Sequence, residues 1–181
     1  MEDTIAAIST PPGEGGIGII RISGKKAFDI GKEIFSPSGG QPEKMEPRKV
    51  YYGNITTREK ILDEVLVTFM KGPRSYTTQD VVEINSHGGP LILKKILELV
   101  LNKGARLAEP GEFTKRAFLG GRIDLTQAEA VMDMIRAKTD QAREMAISQL
   151  KGEFGELMSR FRDRLLDFML QLEVRIDFCE D

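Results

Sequence analysis

Apolar residues in the first two thirds of the chain alternate between strand-like and helix-like spacing. Five strands are predicted where apolar residues form short runs bounded by turn residues, at 4–9, 17–23, 50–56, 64–70 and 80–85. Apolar positions at helical spacing predict helices over 25–35 and 90–103, with Gly104 as the stop of the second, and 36–47 is predicted to be a loop. This order of elements predicts an α+β domain, a mixed sheet with helices on one face.

The last third of the chain is predicted to be helical. Thr126 and Glu129 fit a capping box, and apolar residues then recur near a 3.6-residue period as far as Leu150. Gly152 and Gly155 predict a turn or bend. After this turn, apolar residues form a heptad seam: Phe154, Met158, Phe161, Leu165, Phe168 and Leu172. A second apolar stripe lies at an angle to the seam and consists of Leu166, Met169, Leu170 and Val174. Such a helix needs cover on several sides, from the first domain or from helices that the chain does not supply.

Glycine, proline and charge all change at the same place in the chain. Of the 18 glycines, 16 lie at or before Gly121, and all 8 prolines lie at or before Pro110. Residues 1–118 carry 17 basic and 15 acidic side chains, a net charge of +2, whereas 119–181 carry 9 and 13, a net charge of −4. We therefore predict a turn-rich mixed domain over 1–118 and a helical segment over 119–181.

Composition narrows the classes of protein to which the chain can belong. A net charge of −2 over 181 residues argues against a bulk basic coat for nucleic acid. No apolar run approaches the ~20 residues that a membrane span needs, and the acidic start lacks the layout of a signal peptide. The single cysteine, Cys179, excludes an internal disulfide, so we expect a cytoplasmic protein. The single histidine, His87, excludes a His-based zinc site, and no metal site or catalytic residue is predicted.

Two motifs have more than one interpretation. The G-x-G-x-x-G pattern at 13–18 precedes a predicted strand, whereas a dinucleotide site needs a helix there, so we interpret it as a glycine-rich connection between strands. The nearby Lys25 and Lys26 do not complete a P-loop, and no GTPase motif is present. His87 lies between a strand and a helix, where its ring either caps backbone groups of a turn or contacts a ligand at the mouth of the sheet.

Arg21 and Glu83 stand out because each interrupts an apolar strand. Strand alternation places Ile20 and Ile22 on one face of the sheet and Arg21 on the other, and Glu83 is likewise opposite its apolar neighbours. A charge in such a strand needs a partner because burying it unpaired is costly. The pattern is consistent with structural ion pairs or solvent exposure, and equally with a small-molecule pocket that has one donor and one acceptor.

Nine segments of the chain, in order, resemble the N-terminal part of the MnmE (TrmE) family of tRNA modification GTPases. They are 3–13, 15–24, 75–77, 80–84, 87–90, 104–108, 110–119, 124–130 and 176–178. The resemblance implies a folate-binding domain, similar to that of the glycine-cleavage aminomethyltransferase, followed by the first part of a helical domain. Family members carry a Ras-like GTPase domain inserted in that helical domain. The chain ends where the insert would begin, so we expect a piece of a longer protein whose remaining helices cover the apolar helix.

The same resemblance implies a function. With its FAD-containing partner MnmG, the family modifies carbon 5 of the wobble uridine in certain tRNAs, and GTP hydrolysis with potassium and magnesium drives the cycle. The first domain is implied to form a homodimer and to bind 5-formyl-tetrahydrofolate or a related tetrahydrofolate. The implied folate contacts fall on Arg21, Glu83 and Arg122, and only the first two were also found from the strand pattern. The alternative is a purely structural dimerisation module in which Arg21 and Glu83 only pair with each other.

Overall fold

The fold is that of a computed structural model, which describes residues 3–39, 45–57 and 60–177. The chain forms two compact units, and the boundary between them falls between Arg122 and Ile123. The assignment of 1–118 as a folate-binding and dimerisation domain, and of 119–181 as the first part of a helical domain, stays a prediction. Cys179 lies outside the described residues, as does the end of the 176–178 segment.

A seven-stranded mixed sheet forms the first unit, together with three helices. The strands are β1 (Ile5–Ile8), β2 (Gly18–Ser23), β3 (Phe35–Pro37), β4 (Val50–Thr56), β5 (Ile61–Met70), β6 (Val81–Ser86) and β7 (Arg106–Leu107). The helices are α1 (Ala27–Ile34), α2 (Pro90–Asn102) and α3 (Glu112–Leu119). The strand order is β3-β4-β5-β6-β2-β1-β7, and β7 pairs parallel to β1 whereas every other pairing is antiparallel. The predicted α+β class and mixed sheet are confirmed.

The five predicted strands and the first two predicted helices are all present, with each end within three residues of its predicted position. One expectation is wrong, because β3 occupies the start of the predicted loop over 36–47 and pairs with β4. Three short elements, β3, β7 and α3, were not predicted. The glycine-rich segment joins the antiparallel strands β1 and β2, as the strand after it indicated. It packs closely on the turn after β6, where a Cβ on Gly88 would lie 2.5 Å from the carbonyl oxygen of Gly15.

The core lies between the sheet and the helices α1 and α2, which pack on each other. Helix α1 packs mainly on β3 and β6, and α2 packs mainly on β1, β2 and β5. The alternate residues Ile20 and Ile22 of β2, and Val82 and Ile84 of β6, are fully buried in it. The predicted face assignment of these two strands is therefore confirmed. Its consequence is that Arg21 and Glu83 lie on the opposite face of the sheet.

The second unit consists of three helices, α4 (Leu125–Arg136), α5 (Asp140–Leu150) and α6 (Glu153–Asp177). The predicted capping box is displaced by two residues. Asp124 is the N-cap residue, its Oδ1 accepts from the Gln127 N–H at 2.8 Å, and the Gln127 side chain accepts from the Asp124 N–H at 2.9 Å. The apolar period as far as Leu150 is interrupted between α4 and α5, where Thr139 caps the new helix. Gly152, at φ +85°, forms the predicted turn, whereas Gly155 lies inside α6.

Replacing Asp124 with alanine is expected to lower the free energy of unfolding by about 1 kcal/mol, because the Gln127 amide hydrogen at the start of α4 loses its acceptor. Thr126→Ala is the matched control, since the Thr126 hydroxyl only donates to Asp124 and caps no amide. Urea denaturation followed by far-ultraviolet circular dichroism measures both. Equal losses for the two variants would contradict the observed N-cap and favour the predicted one.

The apolar seam of α6 is exposed along its whole length. The six seam residues keep 43% to 58% of their surface: Phe154, Met158, Phe161, Leu165, Phe168 and Leu172. None of the residues of this helix is buried. A contiguous apolar surface of this kind normally has a partner, and the nature of that cover stays a prediction. Among the described residues, no helix is both long and apolar enough to cross a membrane.

Candidate ligand-binding site

Arg21 and Glu83 form a direct ion pair across two neighbouring strands. They are register partners on β2 and β6, and the Nε and Nη2 atoms of Arg21 each lie 2.7 Å from Oε1 of Glu83. The strands bring them together because each strand buries its apolar residues on the helix-covered face. Residues directly opposite each other in a sheet have side chains close enough to pair. The predicted need for a partner is therefore met within the chain.

The pair is accessible from solvent. Each of the two side chains keeps 25% of its surface exposed. The hydrogen bond from Nε and the ion-pair contact from Nη2 of Arg21 both end on Oε1, and within the described part of the chain no hydrogen bond to Oε2 of Glu83 is found. An ionised carboxylate has about four acceptor positions. Glu83 thus retains acceptor capacity at a half-buried position on the open face of the sheet.

Two aromatic rings lie against the guanidinium of Arg21. Its Cζ atom is 5.2 Å from the ring centre of Tyr76 and 5.5 Å from that of Phe113, within the range of cation–π attraction. Tyr76 belongs to the segment between β5 and β6, and Phe113 belongs to α3. The Tyr76 hydroxyl is 2.9 Å from the Thr114 hydroxyl, so the segment and the helix are tied together beside the site. The site combines charge with flat apolar surface.

Arg122 joins this group through Tyr76. Its Cζ atom is 4.8 Å from the Tyr76 ring centre, and its Nη1 atom donates to the Tyr76 carbonyl oxygen at 3.2 Å. Tyr76 is therefore in contact with both arginines. All three residues for which folate contacts were expected lie in one neighbourhood, although their role toward a ligand stays a prediction.

A cluster of ion pairs is centred on the buried side chains of Glu112 and Arg116. Glu112 accepts hydrogen bonds from Arg106 at 2.7 Å and 3.0 Å and from Arg116 at 2.9 Å, and Arg106 and Arg116 also bond Asp3. The hydrogen bonds from Arg106, with those from the Glu109 amide and Arg116, lower the pKa of Glu112 from 4.5 to about 2 against the opposing effect of burial. The side chain of Arg106 likewise lowers the pKa of Asp3.

Sequence reasoning missed this cluster and both rings. One signal was available: Glu112 and Arg116 stand four residues apart, the spacing of an ion pair on one side of a helix. Tyr76 and Phe113 gave no comparable signal, since an isolated aromatic residue in a turn-rich segment is common.

His87 has a carboxylate partner rather than the backbone groups expected of a turn cap. Its Nδ1 atom lies 2.7 Å from Oδ1 of Asp63, and its backbone N–H donates to Oδ2 at 2.8 Å. The ring is 70% exposed. Within the described ranges there is no group of three or more metal-ligating side chains.

Comparison with known families assigns both units. The model for the N-terminus of the GTP-binding protein TrmE matches residues 4–122, and the model for the MnmE helical domain matches residues 125–181. The chain belongs to the MnmE family. The resemblance in the sequence motifs is thereby confirmed.

Curated MnmE proteins align with the whole chain. The tRNA modification GTPase MnmE of Clostridioides difficile (strain 630) is 57% identical over 182 residues, which cover 100% of this chain and 40% of the relative. MnmE of Alkaliphilus oremlandii (strain OhILAs) is 54% identical, with the same shares covered. MnmE of Listeria innocua serovar 6a is also 54% identical, over 98% of this chain and 39% of the relative. The chain therefore spans about two fifths of the length of these MnmE proteins.

Proposed function

We propose that this chain is the folate-binding and dimerisation part of a tRNA-modifying GTPase. The observation that carries the proposal is the Arg21–Glu83 pair, one quarter exposed and lying against two aromatic rings on the open face of the sheet. The family relationship supports the proposal that the chain is part of a tRNA-modifying GTPase, because the curated relatives are tRNA modification GTPases.

The residues present fit the chemistry of a reduced folate. A pterin ring offers adjacent N–H donors, which one carboxylate accepts together, and Glu83 has the acceptor capacity for them. Arg21 and Arg122 provide fixed donors for carbonyl and carboxylate oxygens. Tyr76 and Phe113 provide flat surface for a planar heterocycle.

Within this proposal the chain binds and orients the ligand, and a bound tetrahydrofolate supplies a one-carbon unit. In the cytoplasm the intact protein acts as a homodimer with the FAD protein MnmG on carbon 5 of the wobble uridine of certain tRNAs. GTP, potassium and magnesium belong to the GTPase domain of family members, so these 181 residues are expected neither to bind nor to hydrolyse GTP.

Isothermal titration calorimetry of 5-formyl-tetrahydrofolate into the chain tests the ligand. Saturable binding at one site per chain supports the proposal, and GTP titrated in the same buffer is expected to give no binding heat. Sedimentation equilibrium of the same sample tests the dimer. A folded dimer that takes up no reduced folate would overturn the folate assignment and leave dimerisation standing.

A purely structural dimerisation module is the second candidate. The specific observation that favours it is the direct ion pair, because Arg21 and Glu83 already bind each other on the sheet. Buried and half-buried charges are often paired in this way without a ligand. The calorimetry distinguishes the two candidates, since only the first requires a ligand.

Replacing Arg122 with alanine is expected to weaken folate binding by about fivefold, because an ion pair made by a solvent-exposed cation contributes no more than about 1 kcal/mol. Arg74→Ala is the control: Arg74 is also exposed and lies two residues from Tyr76, but no ring contact of its side chain is found in the described part of the chain. Calorimetry measures both. A fivefold loss in both variants would mean that Arg122 acts only through net charge.

A further inference from the structure

Arg116 is the largest fully buried side chain in the described part of the chain, with 0% of the side chain exposed. All five N–H donors of its guanidinium are used. Nε and Nη2 donate to Glu112 Oε1, at 3.3 Å and 2.9 Å. Nη1 donates to the Asp3 carbonyl oxygen at 2.8 Å, and Nη2 donates to Asp3 Oδ1 at 2.9 Å. Nη1 also donates to Gln79 Oε1 at 3.0 Å. A lysine has only three donors and lacks the fixed fork, so the charge alone does not reproduce this set.

One branch of these hydrogen bonds leads to Tyr76. The Gln79 oxygen that accepts from Arg116 also accepts from the Ser23 hydroxyl at 3.1 Å, and that hydroxyl is 2.6 Å from the Thr77 hydroxyl. Thr77 is fully buried and directly follows Tyr76. The segment that carries the Tyr76 ring is therefore fixed from Arg116 through Gln79.

The other branch leads to Phe113. Glu112, which accepts twice from Arg116, directly precedes Phe113 on α3 and is itself 7% exposed. Arg116 thus holds the helix and the segment that present the two rings flanking Arg21. Buried charged networks with every member satisfied rigidify the groups they connect.

We infer that Arg116 is a positioning residue for the Arg21–Glu83 site, setting the separation of the Tyr76 and Phe113 rings against the Arg21 guanidinium. The inference rests on the proposed folate site for its functional consequence. Residues that support a binding site from behind commonly decide whether its geometry is precise enough to bind. Arg116 is expected to touch no ligand and to act through the two rings.

The test compares Arg116→Lys and Gln79→Ala with Arg106→Lys in the 181-residue chain. Arg106 bonds Asp3 and Glu112 in the same cluster, but it is half exposed and does not reach Gln79. Calorimetry with 5-formyl-tetrahydrofolate and urea denaturation are run on the same samples. Arg116→Lys and Gln79→Ala are each expected to weaken binding by about tenfold, and Arg106→Lys by no more than about twofold. An equal loss in Arg106→Lys, or unchanged binding in a folded Arg116→Lys protein, would overturn the inference.

A readout without ligand separates this inference from the proposed function. The chain has three tyrosines, so fluorine NMR of 3-fluorotyrosine-labelled protein gives three resonances, and Tyr76→Phe identifies the relevant one. That resonance is expected to shift in Arg116→Lys and Gln79→Ala and to stay in place in Arg106→Lys. If wild-type protein binds no folate, the proposed function fails while this comparison still decides the positioning role. If Arg116→Lys does not fold, Gln79→Ala alone tests the positioning role of Arg116. An unchanged Tyr76 resonance in Gln79→Ala would then overturn that role.

Discussion

Replacing Glu83 with alanine is expected to weaken binding of 5-formyl-tetrahydrofolate by about 100-fold or more while the chain stays folded. The physical reason is that two N–H groups of the pterin lose a charged acceptor, and hydrogen bonds to charged groups are worth about 1.5–3 kcal/mol each. The fold is expected to survive because Glu83 is a quarter exposed and its strand is anchored by Val82 and Ile84 on the other face. Calorimetry measures the affinity, and a circular dichroism spectrum of each variant shows whether the fold is retained.

Two further variants sharpen this result. Glu83→Gln keeps the shape of the side chain but turns one acceptor into a donor that faces the pterin N–H groups. The affinity of Glu83→Gln for the folate is therefore expected to be nearly as low as that of Glu83→Ala. Glu64→Ala removes an exposed carboxylate from the adjacent strand β5, where it accepts from the Tyr52 hydroxyl, and is expected to leave binding unchanged. Wild-type affinity in Glu83→Gln would show that no acceptor pair is needed.

Acidification is expected to destabilise the chain through Glu112. Its pKa is lowered from 4.5 to about 2 in the folded state, so its contribution is fully present well above pH 4.5 and is lost as the pH falls toward 2. A shift of this size corresponds to about 3 kcal/mol, of which about 2 kcal/mol is lost by about pH 3. Urea denaturation at a series of pH values measures the free energy of unfolding. The curve for wild type is therefore expected to fall steeply in this range.

Glu112→Gln isolates the contribution of this one carboxyl group from those of the other acidic residues. The variant is expected to be less stable than wild type at neutral pH, because Arg106 and Arg116 lose their shared anionic partner. The difference between the two proteins is expected to narrow by about 2 kcal/mol on going to about pH 3. A difference that stays constant with pH would show that Glu112 is not held ionised by the cluster.

The sheet and the first two helices could be predicted because their apolar residues face one core. Alternation in β2 and β6 set Arg21 and Glu83 apart from their apolar neighbours, and the structure places these two residues opposite each other. That part of the candidate site followed from the residues alone. Arg122 did not, because it lies in an exposed turn after α3 and only the family resemblance marked it.

The rest escaped prediction for identifiable physical reasons. Helix α3 has eight residues, and two of its three buried positions are the charged Glu112 and Arg116, so it shows no apolar stripe. Asp124 and Gln127 form a second capping-box pattern that overlaps the one beginning at Thr126, and sequence alone does not choose between them. The rings of Tyr76 and Phe113 meet Arg21 only through tertiary packing, which local pattern does not encode.

A crystal structure of the chain grown with 5-formyl-tetrahydrofolate is the decisive test of the folate site. We expect the pterin ring to be hydrogen-bonded through adjacent N–H groups to the Glu83 carboxylate, with Arg21, Tyr76 and Arg122 in contact with the ligand. Folate density at another place on the chain, with the Arg21–Glu83 pair closed as it is here, would contradict it.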